Sequence, residues 1–309
     1  MKKILTFIAI ALSASAFALT ASAEDYELNY AVKEDGTAVI TGSNYAAGGE
    51  LVIPAEIEGY TVSEIGEYAF VNQAGISTVT LPDTVKIIGN SAFNGCKRLE
   101  SINFSEGLAE IQKYSFSNCS YLKEITIPDS VTDIGIEAFS DCYYIQKVTI
   151  GDGLKEISES TFRGCSYLTD VTLGENVREI GSNAFSNTAL KTIYIPASVT
   201  NIRSYAFYST GYFDVNYSGA ETQWRKIDIA YGNSELENAE IKYMRNAEGK
   251  IDNTVLRKNI FVVLTYIVIA AVILVPGIVL AARKNNTCKG CGAPREEDAL
   301  FCGKCGTKY

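Results

Sequence analysis

The chain is predicted to fold as a solenoid of stacked coils, each giving one short strand to a parallel sheet, with turn and irregular segments closing the coil. Three observations predict it. Phe70, Phe93, Phe116, Phe139, Phe162 and Phe185 recur every 23 residues, and Phe207 follows after 22. Ile65, Ile88, Ile111, Ile134, Ile157, Ile180 and Ile202 keep the same beat, each five residues ahead of its Phe. Within each period a short stretch alternates apolar and polar residues, the pattern of a strand with one buried face. A fixed period of this length marks units that bury their apolar sides only against one another.

Residues 1–23 read as a secretory signal. Lys2-Lys3 form a positive start, Ile4 to Leu12 an apolar stretch, and Ala21-Ser22-Ala23 a small-residue cleavage site. The apolar stretch is short and soon broken by Ser13 and Ser15, which favours cleavage over a retained anchor. Residues 24–64 form a lead-in and amino-terminal cap, and residues 65–212 the repeats. One unit is clearest in Leu122-x-x-Ile125-x-Ile127-Pro128-x-x-Val131-x-x-Ile134-Gly135-x-x-Ala138-Phe139, and Leu168 to Phe185 repeats it. Ile125 and Ile127 point inward from the strand and Thr126 outward. Val131 and Ile134 bring the chain back across the core, and Ala138-Phe139 close the coil. Residues 213–250 form a carboxy-terminal cap around Trp224, the only Trp, and 251–259 a linker. Trp224 is expected over the last coil, against Ile195, Ile202 and Phe207, because a bare solenoid end would expose its apolar cross-section.

The run from Ile260 to Ala282 holds 23 residues without a charge, bracketed by Arg257-Lys258 and Arg283-Lys284. At ~1.5 Å per residue it reaches ~34 Å, enough for a hydrocarbon core of ~30 Å. No helical angle gives it a polar face, and membrane helices tolerate Pro276 and Gly277. One transmembrane α-helix follows, with the lipid bilayer as its partner. Whether or not the signal is cleaved, the repeats lie outside and residues 283–309 lie in the cytoplasm, a single-pass protein of the cell membrane.

That tail carries Cys288-x-x-Cys291 and Cys302-x-x-Cys305 with ten residues between the pairs. Four thiolates at ~2.3 Å satisfy tetrahedral Zn²⁺, so the tail reads as a small zinc ribbon with one structural ion held by Cys288, Cys291, Cys302 and Cys305. With so little apolar surface, metal binding would supply most of its folding free energy. A pair of redox dithiols is the weaker reading, since no thioredoxin-like strand–helix context surrounds it.

Cys96, Cys119, Cys142 and Cys165 are a second population, spaced by 23 and each three residues after its Phe. Neighbouring coils lie ~4.8 Å apart, so these thiols form a column close enough for stacked disulfides. The other reading is a small apolar filler donating weakly to a backbone carbonyl. Gln73 and Thr188 occupy the same position elsewhere, so the fold does not require a bridge, and free thiols are expected.

Ile-Gly-x-x-Ala-Phe-x-x-Cys-x-x-Leu-x-x-Ile-x-Ile-Pro-x-x-Val resembles the BspA-like leucine-rich repeat, a class found on bacterial surfaces. The resemblance runs from about Tyr26 to Tyr243. It takes in a lead-in at Asp35 to Gly42 and Val52-Ile53-Pro54, and a closing segment at Tyr217-Ser218-Gly219, Gln223-Trp224 and Ile227. Gln112, Ser158 and Arg203 replace the Gly that follows the repeat Ile. The resemblance implies a leucine-rich repeat solenoid used in adhesion.

The chain contains no His and shows no nucleophile elbow, phosphate loop or coupled carboxylate pair, so no catalytic residue is named and an enzyme is not expected. Between Glu24 and Leu256 stand 17 Lys and Arg against 33 Asp and Glu, which repels phosphate and excludes nucleic acid as a partner. Solubility explains that acidity, with no clustered carboxylate motif singled out. The candidate binding face is an outward strand column, Thr80, Asn103, Thr126, Thr149, Thr172 and Tyr194, beside Thr78, Ser101, Glu124, Lys147, Asp170 and Thr192. A rim of Arg98, Tyr121, Tyr144 and Tyr167 accompanies it. Strand propensity alone also accounts for Thr at such positions, and partial burial for the tyrosines. The expected partner is an extracellular protein or glycan. A sensor or scaffold reading, with a cytosolic protein docked on the zinc ribbon, is the alternative.

Overall fold

The structure is a computed structural model that describes residues 27–44 and 48–245. The signal segment, the apolar run 260–282 and the four tail cysteines lie outside the described residues. Among the described residues no helix is long and apolar enough to cross a membrane.

The repeats form the predicted solenoid. The strands that alternate in sequence pair in parallel at a register of one period: Glu124–Ile127 against Lys147–Ile150, then Asp170–Thr172 and Thr192–Ile195. Asp214–Tyr217 and Glu240–Tyr243 extend this row into the carboxy-terminal segment. Ile125, Val148, Val171, Ile193 and Val215 are buried on one side of it while the residues between them face out.

The return segment is more ordered than expected. Ile87–Ile88, Glu110–Ile111 and Asp133–Ile134 form a second parallel row, led in by Ala38–Ser43 and Tyr60–Ile65. After an interruption, Glu156–Ile157, Glu179–Ile180, Asn201–Ile202 and Asp228–Ile229 continue it. From Ile87–Ile88 onward each strand holds only two residues, and through Asn201–Ile202 one of them is the repeat Ile. The row breaks at Ser158, whose Oγ donates to the Ile134 carbonyl; elsewhere the backbone N–H of Gly135 and Gly181, and equally of Gln112 and Arg203, reaches back to the repeat Ile of the coil before. The first row is interrupted too, between Ser101–Asn103 and Glu124–Ile127. There Phe104 stands where other units carry Ile or Leu, and its ring lies edge-on to Phe116 and Phe139.

The turn around each Phe makes a third axial ladder. Phe70, Phe93, Phe116 and Phe139 donate their N–H to the carbonyls of Ala92, Ser115, Ala138 and Thr161 in the next coil, at 2.7–3.0 Å. Residues two before and two after the Phe are left-handed. Tyr68, Tyr114 and Tyr205 have φ of 57°, 59° and 59°, and Asn72, Asn118 and Asn187 have 58°, 62° and 57°. Such φ values are uncommon for Tyr. The turn's hydrogen bonds offset their cost, because the alternation points every second N–H along the axis. Gly95 and Gly164 take the same conformation at the later site.

At the core the seven phenylalanines from Phe70 to Phe207 form one unbroken stack. Their centroids are 5.1–5.6 Å apart and their planes 5–12° from parallel, and none is exposed.

At the carboxy-terminal end Trp224 packs against the core as expected, but by a different contact from the one the sequence suggested. Trp224 is half-buried and lies edge-on to Tyr217 at 5.0 Å; Tyr217 is the ladder partner of Ile195. It is Phe213, not Trp224, whose ring meets Phe207, at 5.3 Å. The ladder of Phe turns is closed by side chains instead. Asn233 Oδ1 accepts from the Phe207 N–H at 3.1 Å and Glu235 Oε1 from Ser209 at 2.9 Å, taking the place of the next coil's carbonyls. Asn233 is buried, and its amide donates to the carbonyls of Arg203 and Ala230.

Candidate binding face

The first strand row positions the predicted columns. Register brings Thr80 beside Asn103, and Thr126 beside Thr149, Thr172 and Tyr194 in turn. All six are partly or fully exposed; the break at Phe104 separates the first two from the last four. Beside them, Thr78 and Ser101, then Glu124, Lys147, Asp170 and Thr192, keep the same register. Lys123 pairs with Glu100 across two coils, and further along Lys242 pairs with Asp214.

The rim combines features of both readings, since its rings lie against one another and are still about half exposed. Tyr121, Tyr144 and Tyr167 are 50%, 42% and 55% exposed. Their rings follow one another at 5.3 and 5.1 Å, tilted by 51° and 32°. Tyrosines spend little conformational entropy when a partner covers them, and each offers an apolar ring with a polar tip.

The other edge of the face carries a feature the sequence reading passed over. Asp83, Glu106, Asp129, Asp152 and Glu175 follow the strands at successive periods, and all are exposed. Asp129 accepts from the Asp152 N–H and Asp152 from the Glu175 N–H, at 2.8 and 2.7 Å. Among the described residues none of the five is in an ion pair. The Tyr194 hydroxyl donates to Glu175, which ties this column to the strand face. Burial and then that carboxylate push the Tyr194 phenol up to about 12. The signal was present in the chain, five carboxylates spaced by 23, but it was hidden inside the total charge.

Two shallow clefts of about 250 and 270 Å³ are present. One is lined by Thr132, Asp133, Gly153, Lys155, Glu156 and Ser158 at the break in the second row, the other by Gly211, Tyr212, Ser234, Glu235 and Asn238. In the first, burial and the neighbouring Glu179 raise the Glu156 carboxyl above its usual range. Neither cleft adjoins the Thr column. Among the described residues no group of His, Cys, Asp or Glu is placed to hold a metal ion.

Cys96, Cys119, Cys142 and Cys165 are buried and free. Each thiol donates to the Phe carbonyl of the preceding coil: Phe70, Phe93, Phe116 and Phe139, at 3.0–3.2 Å. Burial pushes the Cys96 thiol up to about 12 and raises the other three strongly, so none is a nucleophile near neutral pH. Thr188 and Thr210 fill the same place but donate to Phe185 and Phe207 of their own coil.

Comparison with known proteins bears on the repeats. The profile of the BspA type leucine rich repeat region matches in six copies, over residues 63–150 and 88–213. No curated protein matches the chain. Among solved structures, a leucine-rich repeat protein of Bacteroides capillosus is 34% identical, over 40% of this chain and 93% of that one, with a TM-score of 0.36. The Treponema pallidum leucine-rich repeat protein is 27% identical, over 52% of this chain and 86% of that one, with a TM-score of 0.42. The pneumococcal vaccine antigen PcpA is 23% identical, over 62% of each chain, with a TM-score of 0.49.

Proposed function

Because residues 63–213 form a BspA type leucine-rich repeat region, we propose that the chain is a membrane-anchored cell-surface binding protein, its strand face presented to an extracellular protein or glycan. The observation that carries this reading is the tyrosine rim. Tyr121, Tyr144 and Tyr167 stand about half exposed beside a polar strand face, and the core has no use for them. A long, open face suits an extended macromolecule better than a small molecule, which needs an enclosing pocket. The uncharged run from Ile260 to Ala282 supports a single span, with residues 283–309 in the cytoplasm.

A sensor or scaffold is the second reading, and the spacing of Cys288, Cys291, Cys302 and Cys305 favours it. A zinc ribbon beyond the span would give a cytosolic protein a folded surface to dock on. Full-length chain should carry one zinc and lose it on Cys302→Ser. The function itself is tested by displaying the full chain on cells and screening matrix proteins and glycans. Binding should disappear in the triple variant Tyr121→Ala, Tyr144→Ala, Tyr167→Ala at unchanged surface level. Binding that ignores all three substitutions rules out this face.

A further inference from the structure

The carboxylate column narrows the partner. We propose that the strand face takes an extended, lysine- or arginine-rich polypeptide segment, laid along the solenoid axis between the tyrosine rim and the column Asp83, Glu106, Asp129, Asp152 and Glu175. This rests on the surface-binding reading above and adds the chemistry of the ligand.

The argument is one of charge and spacing. Five carboxylates at successive coils, ~4.8 Å apart, form a line of like charge ~19 Å long. Among the described residues none of them is in an ion pair, and the Lys86 ammonium donates to the Asp83 backbone carbonyl at 3.0 Å and not to a carboxylate. Two are held in place by backbone N–H groups, so their position does not depend on a mobile partner. The line is therefore a fixed source of negative potential along one edge of the face, reaching ~8 Å at physiological ionic strength. A strand rising ~3.3 Å per residue covers it with about six residues, and its side chains alternate between two sides. Basic side chains on one side would meet the carboxylates. On the other, basic or apolar groups would lie over Tyr121, Tyr144 and Tyr167, whose rings attract cations as well as carbon. Thr126, Thr149 and Thr172 lie between the two edges and offer hydroxyls to the ligand backbone. An acidic glycan or a nucleic acid would be repelled from the same edge. A neutral glycan would draw nothing from the negative potential of that edge.

The test uses full-length chain in detergent and three probes: a twelve-residue peptide of alternating lysine and serine, its glutamate–serine counterpart, and dextran. The lysine peptide should bind and the glutamate peptide should not. Replacing Asp129→Asn, Asp152→Asn and Glu175→Gln together keeps acceptors for the backbone N–H groups and should weaken binding roughly tenfold or more. A charge-matched control away from the face, Asp133→Asn with Glu159→Gln and Asp228→Asn, should change it by about twofold or less. Equal losses in the two variants would reduce the effect to net charge and overturn the proposal. Dextran binding that needs the tyrosines but not the carboxylates would overturn it in favour of a glycan, while leaving the surface reading intact. If the lysine peptide does not bind, or binds equally well to the triple tyrosine variant, the basic-segment proposal fails.

Discussion

Two columns of aromatic rings run along this molecule with the same period and almost the same spacing, yet they differ in every other respect. The seven phenylalanines are fully buried, and their planes stay within 12° of parallel. The tyrosines of the rim are about half exposed and tilted by 32–51°. The coil repeat imposes the distance on both. Only close packing on all sides imposes the angle, because a buried ring has one rotamer that fits and an exposed ring has several. Regularity along the stack thus separates rings that build the solenoid core from rings left half exposed on its surface.

The comparison is broken most directly by truncation. Phe139→Ala should cost about 3–5 kcal/mol, since it empties a site between two stacked rings and coils cannot collapse independently to fill it. Urea or thermal unfolding of the full chain measures this, and a loss below ~1 kcal/mol would show the stack to be incidental. Asn233→Ala comes next, at about 1–3 kcal/mol, because it strips partners from the buried Phe207 N–H and from two carbonyls. Amide exchange at Phe207 should accelerate, and that at Phe116 should not.

A smaller effect sharpens the contrast between neighbouring columns. Cys142→Thr should cost about 1 kcal/mol: the fold already accepts Thr at 188 and 210, but there the hydroxyl turns to its own coil's Phe carbonyl. The hydrogen bond that Cys142 makes to the preceding coil at Phe116 would be lost. Burial also sets a pH expectation. It raises each thiol pKa, so the thiolate that reacts with iodoacetamide stays scarce in the folded chain well above the ordinary cysteine range. At pH 9 the four should be silent until denaturant is added, after which all four alkylate. The smallest change is Tyr144→Ala, expected within ~0.5 kcal/mol of the parent in stability while reducing ligand capture. A large loss of stability there would make the rim part of the core.

How much of this could be read in the chain follows from what leaves a periodic trace. The first strand row was legible because Ile125, Thr126 and Ile127 alternate in every unit. The second row was not, since two-residue strands such as Asp133–Ile134 are too short to show alternation. The left-handed turns were invisible at Tyr68, Tyr114 and Tyr205, because Tyr does not signal that conformation as Gly or Asn does. At the carboxy-terminal end Trp224 was legible as a residue that packs on the core, but not that it meets Tyr217 while Phe213 meets Phe207; Asn233, which closes the ladder, lies beyond the last period and has no counterpart to compare with. Of the candidate face, the Thr and Tyr columns were legible. The carboxylate column kept an equally strict period but was averaged away when charge was counted over the whole segment.

The ladder of Phe turns also determines how the molecule would respond to force. The N–H groups of Phe70 and Phe93 point to the coil that follows, while those of Gly89 and Gly135 point to the coil before, so hydrogen bonds between coils run along the axis. Tension along that axis loads those bonds end-on, and a pulled chain end detaches the outermost coil first because it has a neighbour on one side only, so the stack would peel turn by turn. Each 23-residue turn released in this way would add about 80 Å of extended chain. Asn233 guards one end of that sequence. If the proposed surface role holds, a stack pulled between a bound partner and a membrane span would lengthen in steps, like a reel paying out line, before the last turn gave way.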